Sequence, residues 1–97
     1  MVRPRLCRRV NFNPNITYFK PRGVPLVELD EVILAVDEFE AIRLKDLEGL
    51  EQGECATKMN ISQPTFHRLV VSARKKISDA IVNGKAIKIE GGNFKCK

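Results

Sequence analysis

The sequence predicts a single, mainly α domain over residues 1–97: a three-helix core at 37–82 with a small β element formed by the terminal segments. Three observations predict it. Apolar residues within 37–82 recur at three- and four-residue steps, the spacing of one helix face. Four of the five prolines, Pro4, Pro14, Pro21 and Pro25, lie in residues 1–25. They keep that stretch out of helix, because proline lacks the backbone donor and restrains its predecessor. Near the other end, Ala86-Ile87-Lys88-Ile89-Glu90 alternates apolar and polar like a strand.

Residues 1–25 read as a basic, proline-rich arm in which Arg8-Arg9-Val10-Asn11-Phe12 alternates and has strand character. From Leu26 to Val36 the chain is apolar with scattered acids, and Val32–Val36 fits a strand or a helical turn equally well. Asp37 reads as the N-cap of a first helix, with Glu38 and Glu40 favourable near its positive end. Phe39, Ile42 and Leu47 recur on one face with Leu44 beside it, to a stop at Gly49. Glu51 or Gln52 opens a second helix of about eight residues, with Cys55, Ala56 and Met59 inward. Asn60 tolerates a left-handed backbone, Ile61 plugs the core and Ser62 is a good N-cap, so the break is written into the residues. Pro64 falls in the first turn of the third helix, where its missing N–H costs nothing. The stripe Phe66, Leu69, Val70, Ala73, Ile77, Ile81 then runs to about Val82, and Asn83-Gly84 ends it. A C-terminal strand at 85–92 follows, expected to pair with residues 8–12.

Size and composition exclude several classes. One modest core fits in 97 residues, and 43% hydrophobic with 30% charged residues is ordinary for a folded chain. The longest apolar run, Val32–Val36, is far below the roughly 18 residues of a membrane span. The start is basic without an apolar region behind it, so no secretory leader and a cytoplasmic location are expected. Cys7, Cys55 and Cys96 are odd in number and widely spaced, which fits reduced thiols better than a disulfide framework. No metal site or cofactor is expected; Cys7 and Cys96 are the weak candidates, because pairing of the terminal strands brings them together. His67 is the one histidine and has no close cysteine pair to join it. A phosphate-binding glycine loop is missing, as is a nucleophile with a partner base, so the chain reads as a non-enzyme.

Charge is polarised. Residues 1–25 hold six Lys or Arg and no acid, residues 26–54 two cations and ten acids, and residues 55–97 nine cations and two acids. Net charge is +5, and this layout points to a polyanion met by both termini, with the acidic stretch facing away or contacting a protein such as RNA polymerase. A short helix, a three-residue turn and a longer helix with a cationic outer face is the layout of a helix-turn-helix. Ala56 is small where the following helix crosses it. In this layout Gln63, Thr65, His67 and Arg68 are the expected base contacts, since Gln suits adenine and Arg suits guanine. Arg74, Lys75, Lys76 and Lys58 are the expected phosphate contacts, which position the protein without specifying sequence. Arg3, Arg5, Arg8 and Arg9 form either a minor-groove arm or a disordered tail. Tyr18-Phe19-Lys20-Pro21-Arg22 either stacks on a single strand or packs its aromatics on the core.

Ala41-Ile42-Arg43-Leu44, Asp46-Leu47-Glu48-Gly49-Leu50, Ala56, Ile61-Ser62 and Ala73-Arg74-Lys75-Lys76 resemble the region-four helix-turn-helix of bacterial sigma factors over about half the chain. Arg3-Pro4-Arg5, Cys7-Arg8-Arg9-Val10, Tyr18-Phe19-Lys20-Pro21-Arg22-Gly23, Asn83-Gly84-Lys85-Ala86 and Glu90-Gly91-Gly92-Asn93 extend a second resemblance nearly end to end. It is to a small archaeal and bacterial family of uncharacterised, predicted DNA-binding proteins. That resemblance implies duplex DNA as partner and transcription regulation as role, with a homodimer expected from the two-fold logic of helix-turn-helix sites. The alternatives carried by the same charges are a structured-RNA or ribosome-associated binder and a non-catalytic protein adaptor.

Overall fold

The apolar stripe beginning at Phe66 builds the longest element, the helix α3 (Gln63–Asn83), which carries the rest of the chain on one face. The computed structural model describes residues 8–10, 14–92 and 94–96. Helix α3 starts on Ser62, whose Oγ accepts the Thr65 N–H, and stops at Gly84 in the left-handed region (φ 65°). Its inward stripe ends one residue sooner than the sequence suggests. Ala73, Ile77 and Ala80 follow the 3.6-residue turn, whereas Ile81 falls beyond its edge and is 74% exposed, with Val82 exposed beside it.

The first helix, α1 (Val36–Ile42), differs from the expected Asp37–Leu47 at both ends. Ala35 is its N-cap instead of Asp37. The reason is that the Glu38 carboxylate reaches back to accept the Ala35 N–H at 2.9 Å, while Asp37 turns to Arg8 at 3.3 Å. After Ile42 the chain widens into one π-helical turn, Arg43–Leu47, closed by a Glu48 N–H to Arg43 carbonyl bond of 2.9 Å. Each residue advances less in the wider turn, so Leu47, expected on the inner face, swings out to 78% exposure while Leu44 stays buried. Gly49 (φ 75°) and a Leu50 N–H to Leu44 carbonyl bond then end it. Helix α2 (Gln52–Met59) buries Cys55, Ala56 and Met59 as its periodicity predicts.

The β structure corrects the expected pairing of 8–12 with 86–90. Strand β1 (Arg8–Val10) pairs in parallel with β5 (Phe94–Cys96), with Arg8 opposite Phe94 and Val10 opposite Cys96. Strand β4 (Ala86–Ile89) is the centre of a separate three-stranded sheet, antiparallel to β2 (Tyr18–Phe19) and parallel to β3 (Glu31–Leu34). Parallel strands need a long crossover, and the three helices between β3 and β4 supply it, a pairing between distant segments that local alternation does not reveal. The apolar run at 26–36 resolves into a 3₁₀ turn (Leu26–Glu28), β3 and the first residue of α1. The β element is therefore made by internal segments as well as terminal ones.

Two apolar clusters meet along α3. Ala41, Leu44, Cys55, Ala56, Met59, Phe66 and Val70 fill the space among the three helices. Val10, Leu34, Val36, Ala73 and Ile89 fill the space between α3 and the strands. Gly92 (φ 96°) lets the chain pass close to the start of α1, because a Cβ there would lie 2.7 Å from an Asp37 oxygen and 2.9 Å from the Ala35 Cβ. Among the described residues no helix is long and apolar enough to cross a membrane.

Candidate nucleic-acid interface

The turn between α2 and α3 is built from backbone chemistry. Asn60 takes the left-handed conformation (φ 59°, ψ 45°), its N–H reaching the Thr57 carbonyl at 3.1 Å. The Ile61 N–H returns to the Ala56 carbonyl at 3.0 Å, and the Ile61 side chain packs on the helical cluster. Ser62 Oγ also donates to Thr65 Oγ1 at 2.9 Å. These bonds stop α2, redirect the chain and start α3 within three residues.

The start of α3 is braced from two sides. Gln52 Nε2 donates to the Gln63 carbonyl at 3.4 Å, and a Cβ on Gly53 would lie 3.2 Å from Gln63 Nε2, so the glycine leaves the Gln63 side chain its room. Arg68 Nη2 donates to Thr65 Oγ1 at 3.3 Å. Thr65, expected to contact bases, is half-buried and its hydroxyl serves Ser62 and Arg68. Gln63, His67 and Arg68 are exposed, as are Lys75 farther along α3 and Lys58 on α2. Val71, which sequence reasoning passed over, lies on the same outer face and is 49% exposed. Its signal was available: it falls off the three-and-four stripe on the side of Arg68 and Lys75.

Arg74 and Lys76, expected at phosphates, are engaged within the chain. Arg74 forks onto Asp46 at 3.0 and 2.5 Å, and its guanidinium holds the Asp46 carboxyl below the ordinary range. Lys76 Nζ sits 2.7 Å from Glu38 Oε1, while Ser72 donates to Glu38 Oε2. The acidic stretch is therefore not a continuous surface: Asp37, Glu38 and Glu40 are buried, and α1 is pinned to α3 by charge. Arg8 is drawn onto Asp37, and Arg9 is exposed. Arg3, Arg5 and Cys7 lie outside the described residues, as does the Cys96 side chain. Cys55 is buried, which pushes its thiol up and keeps it a core residue. Among the described residues no cluster of His, Cys, Asp and Glu is arranged to hold a metal ion.

Burial alone would push the Glu38 carboxyl up; the Lys76 ammonium, the Ser72 hydroxyl and the Ala35 N–H outweigh it and hold the group below its ordinary value. A carboxylate depressed in the folded state stabilises above its unfolded pKa and loses that contribution as pH falls through the folded one. Glu38→Gln is therefore expected to cost about 1–3 kcal/mol at pH 7. Urea titrations from pH 7 downward should show the gap closing below about pH 4; a gap constant with pH would show that the charge on Glu38 contributes nothing.

A family profile described as "Protein of unknown function DUF134" matches residues 1–97. The chain belongs to this family. Among DUF134 relatives, the UPF0251 protein of Thermoanaerobacter sp. (strain X514) is 64% identical over 95 residues, covering 98% of this chain and 84% of that one. The UPF0251 protein of Caldanaerobacter subterraneus subsp. tengcongensis is 65% identical over 95 residues, 98% of this chain and 80% of the relative. That of Halothermothrix orenii is 55% identical over 95 residues, 98% and 70% respectively. No solved structure matches this DUF134 chain significantly.

Proposed function

We propose that this protein binds duplex DNA sequence-specifically and regulates transcription, with α2, the Asn60–Ser62 turn and α3 acting as a helix-turn-helix. The observation that carries the reading is the division of α3. Its inner face is buried in both apolar clusters, while Gln63, His67, Arg68, Val71 and Lys75 stand outward from a rigidly capped start. Gln63 and Arg68 are the polar readers of base edges, and Val71 offers an apolar surface to a thymine methyl group. Lys58 and Lys75 are the phosphate contacts, joined by Arg74 and Lys76 to the extent that they exchange Asp46 and Glu38 for phosphate. Net charge +5 supports the electrostatic part of binding, and the chain's family membership adds no role of its own.

The test is selection from a random duplex DNA pool at two salt concentrations with structured RNA as competitor. One enriched motif is expected, lost when Gln63 and Arg68 become alanine, at about 1–3 kcal/mol of discrimination each. Arg68→Ala alone should relax one base position. Lys75→Ala should weaken all sequences alike and lower the salt slope by about one. Salt-sensitive retention without a motif, or preferential capture by the RNA, would overturn the reading.

A further inference from the structure

Arg74 and Lys76 leave α3 close together, and each is held by an acid, Lys76 by Glu38 of α1 and Arg74 by Asp46 of the π-helical turn. The two pairs differ in what they leave behind on parting. The Glu38 side chain is 7% exposed and also holds the Ser72 hydroxyl and the Ala35 N–H, so pulling Lys76 away strands a buried carboxylate. Asp46 is 43% exposed and Arg74 52%, so water takes over from either ion. Exposed pairs of this kind are weak. Lys76 is therefore fixed and Arg74 exchangeable. Helical phase separates them again. Arg74 follows Gln63 by 11 residues and His67 by 7, close to three and two full turns, so the three stand in one line on the outer face of α3. Lys76 follows Gln63 by 13 residues, more than a third of a turn out of that line.

We propose that Asp46 is a specificity residue that stands in for phosphate: it occupies the Arg74 guanidinium in the free protein and yields it only to a backbone phosphate that a matched site holds in place. This rests on the DNA reading above. The two Asp46 oxygens take the Arg74 Nε and Nη2 hydrogens at 3.0 and 2.5 Å, the forked geometry in which a guanidinium also takes a phosphate. In helix-turn-helix docking the first residues of the second helix meet base edges, so Arg74, three turns behind Gln63 on the same line, meets the backbone. At a matched site the base contacts of Gln63 and Arg68 fix the register of α3, and a phosphate replaces Asp46 on both guanidinium hydrogens. On unmatched duplex the register is loose, and a passing phosphate does not displace a carboxylate that is already bound at two points. Asp46 thus lowers affinity for every duplex, and lowers it least for the matched one.

Fluorescence anisotropy with two labelled duplexes, one carrying the selected motif and one scrambled, tests this on the full chain. The variants are Asp46→Asn, Arg74→Ala, the two combined, and Glu38→Gln. Asp46→Asn is expected to bind the scrambled duplex about two- to fivefold tighter, the worth of an exposed ion pair, and to gain less on the motif, so the ratio between them narrows. The gain should vanish when Arg74 is alanine. Glu38→Gln removes an equal charge but releases only Lys76, and it should show no gain. A gain that persists without Arg74, that Glu38→Gln reproduces, or that is equal on both duplexes is general charge repulsion; it overturns the inference and leaves the DNA reading standing. An Asp46→Asn chain with unchanged affinity does the same. A wild type for which no motif is selected removes the DNA reading, and the specificity role of Asp46 with it.

Discussion

Glu40→Ala is expected to destabilise the protein by about 3–5 kcal/mol, the cost of removing one partner from a buried, hydrogen-bonded ion pair. Glu40 is 0% exposed, and Arg43 Nε and Nη2 fork onto its two oxygens at 2.7 and 2.9 Å. The pair joins the end of α1 to the first residue of the π-helical turn. Deleting the carboxylate removes both of these bonds from the largely buried guanidinium, whose pair with Glu48, at 3.3 Å, is half-exposed. Small domains have about 5–15 kcal/mol in total, so this one change consumes a large share. Urea unfolding measures it. The control is Glu40→Leu with Arg43→Met, which removes both charges and keeps volume, and should recover most of the loss. A Glu40→Ala loss below about 1 kcal/mol would mean the carboxylate is not desolvated as described.

Local chemistry made part of the structure readable. Asn60, Ser62 and Pro64 each act through their own backbone or the next turn, so the end of α2 and the start of α3 could be placed from sequence within a residue. The exposed positions of Gln63, His67 and Arg68 followed from the same helical phase. Long-range contacts were not readable. Glu38 meets Ser72 and Lys76 across 34 and 38 residues, and Arg74 meets Asp46 across 28. Nothing in the neighbourhood of Arg74 or Lys76 announces those partners, so from sequence both read as cations free for phosphate. The π-helical turn escaped for a related reason: one widened turn changes the phase of Leu47 without changing any residue that periodicity relies on. Strands of two to four residues hold too little pattern to choose a partner, and β4 took β3 and β2 where β1 had been expected.

The start of α3 supplies the second large effect, and its end the contrast, because the two ends separate residues that the sequence placed on one stripe. Phe66 is 1% exposed and packs among Ala41, Leu44, Cys55, Ala56, Met59 and Val70, so it is the side chain on which α1, α2 and the start of α3 converge. Phe66→Ala removes most of a ring from that junction and is expected to cost about 3–5 kcal/mol, transfer and cavity together. Ile81→Ala, at a position 74% exposed, should change stability by no more than about 0.5 kcal/mol. The comparison reads function as well as fold. A Phe66→Ala chain that stays folded loosens the packing that sets the angle between α2 and α3, so duplex affinity should fall even though Phe66 has no surface to offer DNA. If the two substitutions cost the same, Ile81 is a core residue and the inward stripe of α3 runs on to its end.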